Sequence, residues 1–275
     1  MSYSRYDQLS EFHRKLDEGQ FMTGLACALG NPGVVEVACN TGHDFVIVDA
    51  EHVATDQQQL ENLIRAADIY RVPCLVKLAD ITELSIRNAF DFGACGIMCP
   101  HIRTPDELAR VLEYTYFPPR GHRGLCGVAR VNAHSAMDIR EVVRWTNELA
   151  LVVPIIEDRE ALEHLEDIIR VDSRIKVYEI GPLDLALSMG VDLDRSITDP
   201  APELREAIDH IIGTLKAHGR RVLYPTRFPN VKADAATVAA ELRSLGADLL
   251  YGIDTHALVR GARDLASIKR ALQNS

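Results

Sequence analysis

Eight short apolar runs, each separated from the next by a segment with helical periodicity, predict an α/β fold: a parallel sheet closed into a (β/α)8 TIM barrel. The alternation runs through almost the whole chain. No Gly-x-Gly-x-x-Gly follows the first run, which argues against a doubly wound open sheet. The length of 275 residues suits one barrel, so a single domain over 1–275 is expected. The composition agrees. It is 47% hydrophobic and 6% aromatic, so Ala, Leu, Val and Ile must fill the core, as strands covered on both faces by helices require.

Met1–Gly19 reads as an extra N-terminal helix ahead of the barrel. The candidate strands follow as Phe21–Leu29, Phe45–Glu51, Pro73–Ala79, Gly96–His101, Leu151–Glu157, Lys176–Gly181, Arg221–Pro225 and Leu249–Asp254. The stretches between them change period. Leu60, Leu63, Ile64 and Ala67 share one helical face, as do Leu162, Leu165 and Ile169. Helix starts are signalled at Thr104-Pro105-Asp106-Glu107, which combines an N-cap Thr, a Pro in the first turn and a Glu placed to reach back, and in part at Asp80-Ile81-Thr82-Glu83. Phe117–Asn132 is rich in Pro and Gly and reads as a long loop before a helical stretch around Ile139–Leu149. A loop of that length at the strand ends is expected to cover an active site.

Charge and composition exclude several classes. A formal net charge of −10 repels nucleic acid and anionic lipid. No apolar run reaches the roughly 18 residues of a membrane span. Met1–Glu18 is polar and mixed in charge, unlike a secretion signal, so a cytoplasmic protein is expected. The six cysteines (Cys27, Cys39, Cys74, Cys95, Cys99 and Cys126) mostly lie in apolar segments and read as small buried hydrophobes rather than zinc ligands.

A barrel carries its site at the C-terminal ends of its strands. There the sequence places Asp49-Ala50-Glu51-His52, Lys77, Glu157, Gly181-Pro182-Leu183-Asp184 and Asp254. Taken singly, Glu157 and Asp184 could be helix N-caps, and Asp254 reads as a cap for the last helix. Together, Glu157 and Asp184 are hard oxygen donors on adjacent strands, suited to Mg²⁺ or Mn²⁺ with a 2-oxo acid. His52 could be a surface histidine. With Asp49 three residues before it, it could equally be a general acid/base held by a carboxylate. Gly181 and Pro182 could merely shape a turn, or leave helix-start amides open to a substrate carboxylate.

The strings Val48-Asp49-Ala50-Glu51-His52, Pro118-Pro119-Arg120-Gly121-His122-Arg123-Gly124, Ile156-Glu157-Asp158-Arg159-Glu160-Ala161 and Ile180-Gly181-Pro182-Leu183-Asp184-Leu185 resemble the HpcH/HpaI aldolase/citrate lyase family, in order, from about Phe21 to about Ala262. The branch it resembles is that of the class II, metal-dependent pyruvate aldolases. That resemblance implies a carbon–carbon lyase that cleaves or forms a 4-hydroxy-2-oxo acid from pyruvate or a related 2-oxo acid plus an aldehyde. It implies Glu157 and Asp184 as ligands of Mg²⁺, Mn²⁺ or Co²⁺, His52 and Asp49 as the acid/base dyad, and Gly181, Pro182, Leu183 and Asp184 as the carboxylate cradle. It also implies a homo-oligomer, a hexamer in the family, with the last helix packing on a neighbour.

The sequence departs from the family pattern at three positions. Lys77 stands where the family has Arg, Ile155 where it has Gln, and Glu179 where it has an apolar residue. Strand alternation puts Ile155 on the face of Glu157 and Glu179 on the face of Gly181, all pointing into the barrel. An interaction between Lys77 and Glu179 is expected, because a lone buried charge is costly. Two other readings are a Schiff-base aldolase acting through Lys77, and a barrel that has lost catalysis and serves binding or assembly.

Overall fold

A computed structural model describes residues 5–191, 201–226, 240 and 243–273. The eight expected strands all form: β1 Met22–Cys27, β2 Phe45–Asp49, β3 Cys74–Lys77, β4 Gly96–Cys99, β5 Leu151–Ile156, β6 Val177–Ile180, β7 Arg221–Pro225 and β8 Leu249–Ile253. They pair in chain order, every pair is parallel, and β8 returns to β1 to close the ring. Parallel neighbours need a crossover on the outside, so both faces of each strand are covered. In β2 the residues Phe45, Val46, Ile47 and Val48 are all buried, and β5 is buried throughout. Gly24 sets the spacing of β1 against β2, since a Cβ there would meet the Phe45 ring at 2.3 Å.

The helices around the ring are α2 Pro32–Asn40, α3 Gln57–Tyr70, α4 Glu83–Asp91, α5 Pro105–Thr115, α6 Ile139–Leu149, α7 Arg159–Glu163, α8 Leu165–Arg170, α9 Pro182–Met189, α10 Pro202–Ala217 and α11 Asp254–Gln273. The Thr104–Glu107 capping box is present in full. At the second signal, Thr82 is the N-cap of α4, and Asp80 instead accepts from the Thr82 amide and hydroxyl. Asp254, expected as a cap for the last helix, is instead the first residue of α11. Its carboxylate takes the Thr255 amide at 2.6 Å and also the Leu29 amide, from the loop after β1, at 3.0 Å. Among the described residues no helix is long and apolar enough to cross a membrane. All six cysteines are free, and Cys27, Cys74, Cys95 and Cys99 are buried.

The expected N-terminal helix is α1, Arg5–Asp17; residues 1–4 lie outside the described residues. It lies against the N-terminal ends of the strands, burying Leu9, Phe12 and Leu16, with the Phe12 ring edge-on to Phe45 at 6.1 Å. On the same face lies the 117–132 loop, and here the expectation is corrected. The loop leaves the C-terminus of α5, and a helix that follows a strand in a βα unit ends at the opposite side of the barrel from the strand's C-terminus. Its arginines confirm the placement. Arg123 pairs with Asp91 at the end of α4 at 2.5 Å, between the rings of Phe90 and Phe117. Arg130 donates to Asp68, in the last turn of α3, and to the Phe92 carbonyl. The loop braces the base of the barrel and does not cover the mouth.

Candidate active site

At the C-terminal mouth a cavity of about 270 Å³ is lined by Asp49, His52, Lys77, Glu157, Glu179, the Gly181–Asp184 turn and Tyr251, among others. Asp49, His52, Lys77, Glu157 and Gly181–Asp184, expected at the site from sequence, all line this one cavity, whereas Glu51 and Asp254 are not part of its lining. Its walls are strand ends, rigid by virtue of the ladder below them, which suits groups that must hold position.

Glu157 follows β5 directly and is 2% exposed. Its Oε1 accepts the His101 amide at 2.8 Å. Burial raises its pKa, and Asp184 nearby adds to the rise, although the His101 amide, Lys77 and the His101 ring pull the other way. Gly181 makes room for it, because a Cβ at that position would come within 2.4 Å of Glu157 Oε2. The Gly181 amide donates to the Ile156 carbonyl at 3.2 Å, and Pro182 has no N–H. The cradle foreseen over 181–184 therefore narrows to the amides of Leu183 and Asp184 in the first turn of α9, where no intrahelical partner exists.

The Asp49–His52 pair is arranged differently from expectation. Asp49 Oδ1 accepts the backbone amides of Glu51 at 2.8 Å and His52 at 3.0 Å, so it shapes the turn that carries the imidazole. The His52 ring is exposed, with Nε2 3.2 Å from Glu51 Oε2. Glu51 is thus a central residue that the sequence reading passed over. It also takes Lys77 Nζ at 2.7 Å. Burial alone would lower the Lys77 pKa, but Glu179, Glu51 and Glu157 outweigh it and hold the ammonium well above its ordinary value.

His101 is the second residue not anticipated. It follows β4 with φ +53°, in the left-handed region. Its Nδ1 lies 2.9 Å from Asp158, and its Nε2 lies 3.9 Å from Glu51. Burial works to lower its pKa, yet Asp158 and Glu157 raise it on balance. Ligating atoms of Glu51, His101 and Glu157 all lie within 4.8 Å of one another. Two carboxylates and an imidazole at that separation, with Asp184 on the same wall, form a donor set that fits a divalent cation.

Two of the three departures lie deeper. Glu179 is 2% exposed, which excludes a position in bulk solvent. Its Oε1 accepts from Tyr251 Oη at 2.5 Å. Burial holds its carboxyl up to about 7 despite the charge of Lys77. Burial and Glu179 together push the Tyr251 phenol far above its usual range. Lys77 and Glu179 are neighbours through their charges, while their short contacts among the described residues go to Glu51 and Tyr251. Ile155, paired with Glu179 across β5 and β6, is fully buried.

A closed barrel whose strand ends gather carboxylates, an imidazole and an ammonium around one cavity has the architecture of the barrel enzymes. The sequence model of the HpcH/HpaI aldolase/citrate lyase family matches residues 23–253, and the chain belongs to that family. It is an enzyme of the aldolase type. Over 266 residues it is 29% identical to the hydroxypyruvate/pyruvate aldolase of Deinococcus radiodurans, covering 96% of this chain and 91% of that protein. It is also 29% identical over 257 residues to the 4-hydroxy-2-oxo-heptane-1,7-dioate aldolase of Salmonella typhimurium, covering 93% of each. In fold it is similar to the crystal structure of an HpcH/HpaI aldolase/citrate lyase family protein from Burkholderia cenocepacia, with a TM-score of 0.83, 25% identity, and 94% and 99% of the two chains covered.

Proposed function

We propose that this chain is a divalent-metal-dependent aldolase that cleaves or forms a 4-hydroxy-2-oxo acid, with pyruvate or a related 2-oxo acid on one side and an aldehyde on the other. The observation that carries the reading is the grouping of Glu51, His101 and Glu157 within ligand distance of one another, with Asp184 lining the same cavity as Glu157. The names of the relatives support it.

Glu157 and Asp184 hold the cation, Mg²⁺, Mn²⁺ or Co²⁺, with Glu51 and His101 beside them. When bound, the cation supplies Lewis acidity to the oxygens of the 2-oxo acid. The chain's own groups do the rest. The Leu183 and Asp184 amides receive the substrate carboxylate at the positive end of α9. Lys77, kept protonated by its carboxylate neighbours, offsets negative charge that develops on the 2-oxo oxygen as the carbon–carbon bond breaks. His52, on the turn fixed by Asp49 and with Glu51 beside its ring, moves the proton of the 4-hydroxyl. Substrates are small molecules. Neither nucleic acid nor a membrane is a partner, the chain works in the cytoplasm, and its copies assemble into a homo-oligomer.

A Schiff base through Lys77 is disfavoured by the same geometry. An amine nucleophile needs its pKa lowered, and here it is raised. The test is a panel of 2-oxo acids and aldehydes incubated with each cation, read by mass spectrometry for new carbon–carbon bonds, beside metal analysis of the purified protein. Products that vanish on chelation and return with the cation are expected. Full activity in metal-free protein, or trapping of pyruvate on Lys77 by borohydride, would overturn the reading.

A further inference from the structure

His101 is held at both ends by neighbouring acids. Its amide donates to Glu157 Oε1 at 2.8 Å, and its ring Nδ1 lies 2.9 Å from Asp158 Oδ2. Asp158 is itself fixed, because its other oxygen takes Arg103 Nε at 3.3 Å. A carboxylate only accepts, so in the neutral imidazole Nδ1 carries the proton and Nε2 presents a lone pair. That nitrogen faces Glu51, whose Oε1 is 3.9 Å away, while Glu51 Oε2 takes Lys77 at 2.7 Å. The backbone at His101 has φ +53°, a left-handed conformation that persists where the surroundings fix it. Here they fix it so that the imidazole stands between Glu51 and Glu157.

We propose that His101 Nε2 is a direct ligand of the cation held by Glu157, and that this nitrogen makes the site select Co²⁺ over Mg²⁺. This rests on the metal-dependent reading above. Ligating atoms of Glu51, His101 and Glu157 lie within 4.8 Å of one another. Two donors that are each about 2.1 Å from one ion stand about 3 to 4 Å apart. The 3.9 Å between His101 Nε2 and Glu51 Oε1 falls in that range, so one ion can take both. Asp158 then plays the part of the carboxylate behind a metal-bound imidazole. It fixes the tautomer, sets the ring's orientation and makes the nitrogen a stronger donor. An imidazole nitrogen suits Co²⁺, whereas Mg²⁺ prefers oxygen and gives up its water reluctantly. Carboxylates alone would discriminate far less between the two ions.

The test loads the full chain with Mn²⁺ and reads electron spin-echo envelope modulation, in which a directly bound imidazole nitrogen gives its own coupling. Wild type is expected to show that coupling. His101→Asn, which keeps a residue tolerant of positive φ, should lose it. His52→Ala, which removes the other imidazole beside Glu51, should keep it. Calorimetry gives the second readout. His101→Asn should weaken Co²⁺ binding about thirtyfold and Mg²⁺ binding about threefold or less. Asp158→Ala should weaken Co²⁺ about tenfold while the nitrogen coupling remains. Mn²⁺ bound to wild type without nitrogen coupling, or coupling that survives in His101→Asn, would overturn the inference and leave the aldolase reading intact. Equal losses of Co²⁺ and Mg²⁺ affinity in His101→Asn would do the same. Wild-type protein that binds no cation at all sinks the metal-dependent reading and this inference with it.

Discussion

The two ends of the barrel handle charge in opposite ways. At the base, acids meet fixed cations. Asp68 is held by Arg5 at 2.9 Å and Arg130 at 2.7 Å, Asp91 by Arg123, and Asp44 by Lys15 at 2.7 Å. At the mouth, the described cavity lining carries Asp49, Glu157, Glu179 and Asp184 against a single fixed cation, Lys77. Burial makes such an imbalance costly. The base therefore contributes to holding the fold, whereas the mouth carries unmatched negative charge suited to a bound cation. Substitutions at the base should cost stability and spare chemistry, and those at the mouth should do the reverse.

The largest expected effect is at Glu157. Glu157→Ala should lower turnover on the order of a thousandfold, from the loss of electrostatic stabilisation at the reacting oxygens. Steady-state assays with saturating Mn²⁺ check it, and a variant within tenfold of wild type would show that the mouth's charge is not for a cation. Next is the pH dependence of stability without metal. Glu179 ordinarily titrates at 4.5 and is held up to about 7 in the fold. The native state thus binds more proton than the unfolded state between those values. The Glu179 contribution to stability is full below about 4.5 and is lost as pH rises through about 7, on the order of 3 kcal/mol. Urea unfolding across that window should show the slope in wild type and lose it in Glu179→Leu.

His52→Ala should reduce turnover about a hundredfold, with calorimetric metal affinity unchanged; near-normal turnover would remove His52 from the reaction. At the base, Asp68→Ala should destabilise by about 2 kcal/mol, since two guanidinium groups lose their shared partner in a site that is nearly but not wholly dry. Its turnover on whatever substrate the panel finds should match wild type, and a large kinetic defect would erase the contrast between the ends. The smallest effect is Gly181→Ala, where the added methyl displaces Glu157 and weakens metal affinity about tenfold.

The strands were legible because period and length separate buried strands from helices. The acids at their ends were legible because an apolar run that stops at a carboxylate is conspicuous. The residues that escaped did so for physical reasons. Tyr251 sits in Leu-Leu-Tyr-Gly-Ile and looks like core until its hydroxyl is seen to need a partner. His101 acts through a backbone turn with positive φ that no local pattern announces. Glu51 lay between two residues already given roles, although alternation puts it on the same face as Asp49. Length alone does not place the 117–132 loop at the mouth. It follows a helix, and helices in this fold end at the base.

In a ring of strands, seven junctions are spanned by the chain as it runs from one strand to the next. The eighth, between β8 and β1, has no such crossover and is closed by its backbone ladder. Asp254 adds a clasp there, gripping Leu29 on one side of the gap and Thr255 on the other. Because those two amides belong to the rim loop of the first strand and the start of the last helix, the carboxylate fastens the beginning of the hoop to its end at the height of the cavity. The mouth keeps its diameter there without a covalent tie.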